Sequence, residues 1–473
     1  MADSLPGPAV SPVARGGIWG ERRSLTLGLL LVVTLVAFEA LAVATVLPLA
    51  GEELGSLRLY GWAFSAFLLA SLVGIVWAGE QSDRHGPARP FVIGLVLFAA
   101  GLAVAGFAPS MWVLVAGRAI QGLGAGVVPA VAYVAIGRAY EDGVRPRILA
   151  LFSTAWVVPG LVGPGAAAAI AETTNWRLVF LGLLPLVVVA AALALPGLRA
   201  LGGVGAPTTV RRVPRAIALA AGVGLLLAGL TSPSPWLGAP LALAGAVVAV
   251  WTARRLLPAG TLRGGRGLPS VIAGHGLLQF AFFGMEAFVP FTLITLRGES
   301  TFLVGAGLSI TAVAWTAGTW VVDRAPKRFD RRVAMALGMV LVAVEAGLMA
   351  LVVADSTPVV VAVAAWTVGA FGIGLAYPAF SLAALASAAP GEEGATSSAL
   401  KLVESLGAAL GTGAGGAIVA AGDALGTSSG GAATVFGLMA LGALVGAGLA
   451  RRPSTAAWPG RKGRAAAAQP LPS

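Results

Sequence analysis

Residues 111–137 read MWVLVAGRAIQGLGAGVVPAVAYVAIG. The stretch is apolar nearly throughout, yet it carries Arg118 and, one turn on, Gln121. A guanidinium is charged at every physiological pH. In a soluble core it demands a buried ion pair. Within a bilayer it costs at least about 2.5–3.5 kcal/mol on insertion scales and marks a polar pathway. The solvent around this helix decides the fold, and the remainder of the chain identifies that solvent.

The chain has 473 residues, 58% hydrophobic and 11% charged, whereas soluble domains carry about 25% charged residues. Apolar runs long enough to cross about 30 Å of hydrocarbon recur at 25–48, 60–79, 90–108, 111–138, 147–171, 176–196, 269–296, 302–322, 333–354, 358–386, 396–421 and 431–450. A shorter, proline-flanked pair at 216–231 and 236–253 falls between the sixth and seventh. The expected fold is all-α and integral to the membrane, with 14 spans: two six-helix bundles and an extra helix pair between them. The expected division is a cytoplasmic N-terminal tail over 1–24, a bundle over 25–198, a linker with the extra pair over 199–268, a bundle over 269–452 and a cytoplasmic tail over 453–473. Both tails are rich in Pro, Ala, Gly and Arg and read as disordered.

The net charge of +11 invites a nucleic-acid reading, but its distribution argues against one. Of the 31 Lys and Arg residues, Arg58, Arg177 and Arg297 fall on the far side of the membrane and Arg118 and Lys401 within spans; all others lie on the side of the N-terminus. This is the positive-inside pattern, with both termini cytoplasmic, and it predicts a multi-pass protein of the cell membrane. There is no cysteine, hence no disulfide framework and no thiolate metal site. The N-terminal arginines, apolar run and AVA at 42–44 mimic a cleaved signal peptide, but the run is too long and cleavage would destroy the topology.

The two bundles repeat. PGLVGPGAAAAI at 159–170 aligns without gaps to GAALGTGAGGAI at 407–418, an offset of 248. An offset of 247 places Glu39 over Glu286, and 248 places Gly124 and Gly126 over Gly372 and Gly374. Three helices agree on one displacement, as expected of a transporter built from internal repeats.

These residues carry a resemblance. Two six-helix halves with both ends inside look like the major facilitator superfamily. GEQSDRHGPARP at 79–90 resembles that family's cytoplasmic loop signature in Gly79, Asp83, Arg84 and Gly86, and departs from it at Gln81, Pro87 and Ala88. LVAGRAIQGLGAG at 114–126 resembles the fourth-helix signature, in Leu114, Arg118, Gln121, Gly122, Gly124 and Ala125. VPGLVGPGAAAA at 158–169 resembles the antiporter signature of the fifth helix through Gly163 and Pro164, with Pro159, Ala167 and Ala168 in place of its usual glycines. FEALAVATVLP at 38–48 resembles a first-helix signature of the 14-helix drug:proton antiporters, with Glu39 where aspartate is usual and Leu41 and Ala44 at its threonine and asparagine positions. The resemblance implies export by alternating access, driven by an H⁺ gradient without a cofactor. It also implies that Asp83 faces the N-terminus of the eleventh core helix near GATSSALK, where Thr396 to Ser398 are candidate caps.

The embedded charges are Glu39, Glu286, Glu345 and Arg118. At 1.5 Å per residue the carboxylates lie roughly 14–15 Å, and Arg118 about 10 Å, from the outer ends of their spans. A carboxylate that alternates between a desolvated setting and a neighbouring cation binds and releases a proton. Proton coupling is therefore assigned to Glu39, Arg118 and Glu286, against a static salt bridge as the plain alternative; that alternative is preferred for Glu345. His275, Gln279 and Glu286 share one face of their helix. With Glu39, Gln121 and the mid-span Trp156, Trp315 and Trp366, which either line a cavity or pack, they make the expected substrate cavity. Lys401 and Glu404 form an i, i+3 pair of structural kind. No set of histidines or cysteines offers a metal site, and GTGAGG at 411–416 lies inside an apolar span without the strand a nucleotide loop needs.

The expected function is proton-coupled antiport of amphipathic small molecules, cationic ones among them, by a monomer whose partners are substrate, protons and the bilayer. The alternatives are export of a lipid or cell-envelope precursor and proton-coupled uptake of a small metabolite. A membrane enzyme or sensor is disfavoured: neither a cluster of catalytic groups at one membrane face nor a sizeable soluble domain is present.

Overall fold

The computed structural model describes residues 22–141, 144–202, 212–324, 330–354, 356–388 and 392–452. The tails over 1–21 and 453–473, with Arg15, Arg461, Lys462 and Arg464, lie outside the described residues, as do Arg211, Lys327 and Arg328. Among the described residues, 14 helices are long and apolar enough to cross a membrane. They are α1 Arg23–Leu54, α2 Tyr60–His85, α3 Ala88–Gly106, α4 Met111–Ala139, α5 Arg145–Thr173, α6 Arg177–Arg199, α7 Val213–Leu230, α8 Pro235–Leu256, α9 Leu268–Leu296, α10 Thr301–Arg324, α11 Arg331–Val352, α12 Val359–Ser387, α13 Glu393–Ala424 and α14 Ser428–Leu449. Helices are what such sequences must form, because hydrocarbon satisfies no backbone polar group and a helix satisfies them internally.

The packing repeats as the sequence does. In the first half α4 packs on α2 and α3, and α1 on α5 and α6; in the second, α12 packs on α10 and α11, and α9 on α13 and α14. Small residues make these approaches close. A Cβ on Gly124 would strike backbone of α3 at Gly94 and Phe98, and one on Gly126 would strike Ser71 O of α2. Their repeat mates behave alike: Gly372 abuts Gly338 and Leu341 of α11, and Gly374 abuts Trp315 and Gly318 of α10.

The halves meet along two seams, α2 against α13 and α5 against α10. Ser65 Oγ hydrogen-bonds Ala409 O and Thr412 Oγ1, each at 2.9 Å. Toward the face opposite Arg23 and Leu449, Tyr60 Oη donates to Ala287 O at 3.0 Å and its ring lies against Phe288 and Phe291. Phe302 N donates to Glu172 Oε1 at 2.8 Å, and a Cβ on Gly305 would meet Pro164 O at 2.7 Å. The extra pair α7–α8 lies against the first seam, with α7 touching both α2 and α13. Trp62 Nε1 of α2 donates to Thr231 Oγ1 just beyond α7, and Leu227 fills the space at Gly413 of α13.

Helix α9 is regular only to Glu286. A four-residue helix Phe288–Phe291 and a π turn Thr292–Leu296 follow. Pro290 has no N–H to return to the preceding turn, so the backbone loosens there.

Candidate functional site: two repeat-related carboxylate centres

Arg118 of α4 is buried, and its polar atoms are met from three helices. Nε donates to Ala63 O of α2 at 3.0 Å. Nη1 donates to Glu39 Oε1 of α1 and to Gln121 Oε1 at 2.7 Å. The guanidinium stands 4.2 Å from the centroid of the Phe67 ring, a cation–π contact. Glu39 is equally buried, and its second oxygen, Oε2, has no hydrogen-bond partner; nor has Gln121 Nε2. The three residues singled out in α1 and α4 thus form one cluster.

In the second half Glu286 Oε2 accepts the indole N–H of Trp366 at 2.8 Å. Trp366 stands 248 residues after Arg118, as Glu286 stands 247 after Glu39. The repeat has kept the carboxylate and its donor, and has replaced a cation with a neutral donor. Trp366 is wholly enclosed, so it packs and positions Glu286 rather than lining open space.

A third group lies along α9, α10 and α12. His275 stacks on Tyr377 at 5.1 Å and Phe380 at 6.1 Å; Trp315 meets Phe282 edge-on at 5.5 Å and Tyr377 at 6.3 Å. Glu404 of α13 accepts from Tyr377 Oη at 3.2 Å and from Lys401 Nζ at 2.9 and 3.0 Å, and stands 3.9 Å from His275 Nε2. The Lys401–Glu404 pair was legible from its spacing. The position of Glu404 as the joint of α9, α12 and α13 was not, because spacing within one helix says nothing of what stands across from it.

Of the other expected cavity residues, Gln279 is buried against Gly407 with neither amide atom partnered. Trp315 is half-buried. Trp156 is 47% exposed. It shares a face of α5 with Gly160, which abuts Ala312 of the opposite half, and Gly163, which abuts the Phe38 ring. In the antiporter helix, Pro159 and Pro164 lie inside an unbroken α5.

Two expectations need correction. Asp83 bonds Arg138 Nη2 of α4 at 3.1 Å, a pairing inside its own half. The helix it was expected to face begins at Glu393, ahead of Thr396, with no side-chain cap; Ser398 Oγ bonds its own helix at Gly394 O. A nearby arginine satisfies an exposed carboxylate better than a partial helix charge does. Gly86 ends α2 with φ +81°, a conformation that favours glycine, and Gly79 has open space around it. Second, Glu345 is no member of a static salt bridge: it is buried and neither oxygen has a hydrogen-bond partner.

Comparison with known proteins points the same way. The sequence profile described as Major Facilitator Superfamily matches residues 29–412. A probable multidrug-efflux transporter of Mycobacterium tuberculosis is 28% identical over 438 residues, spanning 85% of this chain and 90% of its own. Multidrug resistance protein 3 of Bacillus subtilis is 31% identical over 156 residues, 33% of this chain and 30% of its own. A crystal structure of a peptide transporter superposes with TM-score 0.69 at 16% identity, over 93% of this chain and 96% of its own, a likeness of fold alone.

Proposed function

This chain belongs to the Major Facilitator Superfamily, and we propose from that premise that it exports amphipathic small molecules, cationic ones among them, in exchange for protons. The observation that carries the proposal is the Glu39–Arg118 pair, buried in mid-span and joining α1, α2 and α4. In this state Arg118 compensates the Glu39 carboxylate. Withdrawal of the guanidinium as α1 and α4 shift leaves a desolvated anion, which takes up a proton instead. The aromatic surface of Phe282, Phe283, Trp315 and Tyr377, with Glu286 and Glu404 near it, suits a lipophilic cation.

The basic loops favour placing the face of Arg23 and Leu449 in the cytoplasm of a cell whose plasma membrane holds the protein as a monomer. The contacts around Tyr60 then close the outer side, so the state described faces inward, ready to load a substrate for export. The driving force is an H⁺ gradient, with no cofactor.

The test is an efflux and susceptibility panel in cells overexpressing the protein, with and without a protonophore. Efflux of organic cations that the protonophore stops is the expected result; efflux indifferent to it overturns proton coupling. Glu286→Gln should weaken transport of cationic substrates and spare neutral ones, and equal loss of both would take Glu286 out of substrate recognition.

A further inference from the structure

Glu345 reaches the second centre from behind. Glu286 is half-buried and bound to Trp366 on one side. Glu345, on α11, is fully enclosed with both oxygens unpartnered, and Glu286 is the charged group that acts on it. Space for it is built into α12: a Cβ at Gly369 would overlap the Glu345 carboxylate. Gly369 follows Trp366 by three residues on the same face. One turn of α12 thus presents an indole N–H to one carboxylate and a gap to the other. In the first half the corresponding positions are Arg118 and Gln121, 248 residues earlier.

No cation stands at this centre. Helix α14, which packs on α11, carries no titratable side chain. The one titratable side chain of α12, Tyr377, is bound to Glu404, and His275 of α9 stands three turns from Glu286. Two buried carboxylates in mutual reach without a cation cannot both be ionised. Among the described residues no third His, Asp or Glu joins them to complete a metal site, and hard cations such as calcium take about six or more oxygen ligands.

We propose that Glu286 and Glu345 share one exchangeable proton, so that the second half holds a proton site where the first holds a fixed guanidinium. Glu286 is the member with access to the surface, and Glu345 the enclosed store behind it. Uptake converts one carboxylate to a carboxylic acid and release restores it; no other group changes. That this proton is carried in the transport cycle rests on the antiport reading above; its existence does not.

The experiment is infrared spectroscopy of the purified full-length protein at neutral pH, reading the C=O stretch of a protonated carboxyl group and its shift in D₂O. A shared proton gives such a band in the wild type. Glu345→Gln and Glu286→Gln should each remove or displace it, and Glu39→Gln should leave it in place. No such band in the wild type, or an unaltered one in Glu345→Gln, overturns the proposal. If Glu345→Gln is not recovered folded, Glu345→Met serves in its place, with helicity and thermal unfolding as the check. In proteoliposomes, a lower proton-to-substrate ratio in Glu345→Gln is the expected consequence. If pH-driven transport survives Glu39→Gln while the band behaves as stated, the antiport reading fails and the proton site stands.

Discussion

Arg118 spends its donors on Ala63, Glu39 and Gln121 and lays its plane on Phe67. Such a group is anchored, not tolerated. Removing one partner of a buried ion pair strands the other and costs about 3–5 kcal/mol, whereas removing both is far milder. Arg118→Ala should therefore lower the thermal unfolding temperature in detergent more than Arg118→Ala combined with Glu39→Gln does. Strict additivity of the two changes would show that they do not interact. Arg118→Lys keeps the charge but loses the planar fork that serves three acceptors at once, so impaired transport is expected from it as well. Glu39→Gln should insert and fold, since the amide still accepts from Arg118. It should lose transport driven by an imposed pH gradient in proteoliposomes, and wild-type movement of substrate in that assay would remove Glu39 from the coupling.

At the scale of the element, glycine decides which helices touch. Gly124 and Gly126 admit α3 and α2 onto α4, and Gly372 and Gly374 admit α11 and α10 onto α12. Gly137, in the same α4, has nothing within reach of a Cβ. Gly126→Ala should destabilise the protein by about 1–3 kcal/mol, because the new methyl meets backbone that cannot yield. Gly137→Ala should be neutral or slightly stabilising, since alanine is the better helix former by roughly 0.5–1 kcal/mol. Thermal unfolding of the two variants side by side checks the contrast. If they shift alike, close approach at Gly126 is not what holds α2 to α4.

The whole molecule is two related bundles joined at α2–α13 and α5–α10, with α7 laid across the first seam. An exporter that works by alternating access must open and re-form such seams. The chain has no cysteine, which makes the test direct. Ser65 and Thr412 face each other across the seam, their hydroxyl oxygens 2.9 Å apart. In Ser65→Cys with Thr412→Cys, oxidation should join the halves and arrest transport, and reduction should restore it. Transport that persists through a completed cross-link would mean that this seam does not open.

The sequence by itself determined the solvent, the span count and the repeat. These depend on composition, on runs of apolar residues and on where the arginines fall, and each is a property of the linear chain. It also brought Glu39, Arg118, Gln121 and Glu286 forward, because a charge inside an apolar run is visible without a structure. It could not say that Glu345 lacks a cation or that Asp83 turns to Arg138, nor that Trp366 takes the place of Arg118 and Glu404 joins three helices. Each of those facts depends on what a neighbouring helix presents at one level of the membrane. Low-complexity Gly/Ala/Val helices leave that unspecified locally, since the same faces fit several partners. Only the crossing of α9, α11, α12 and α13 fixed which side chains meet, because contact between helices is set by packing, not by the order of residues along one of them.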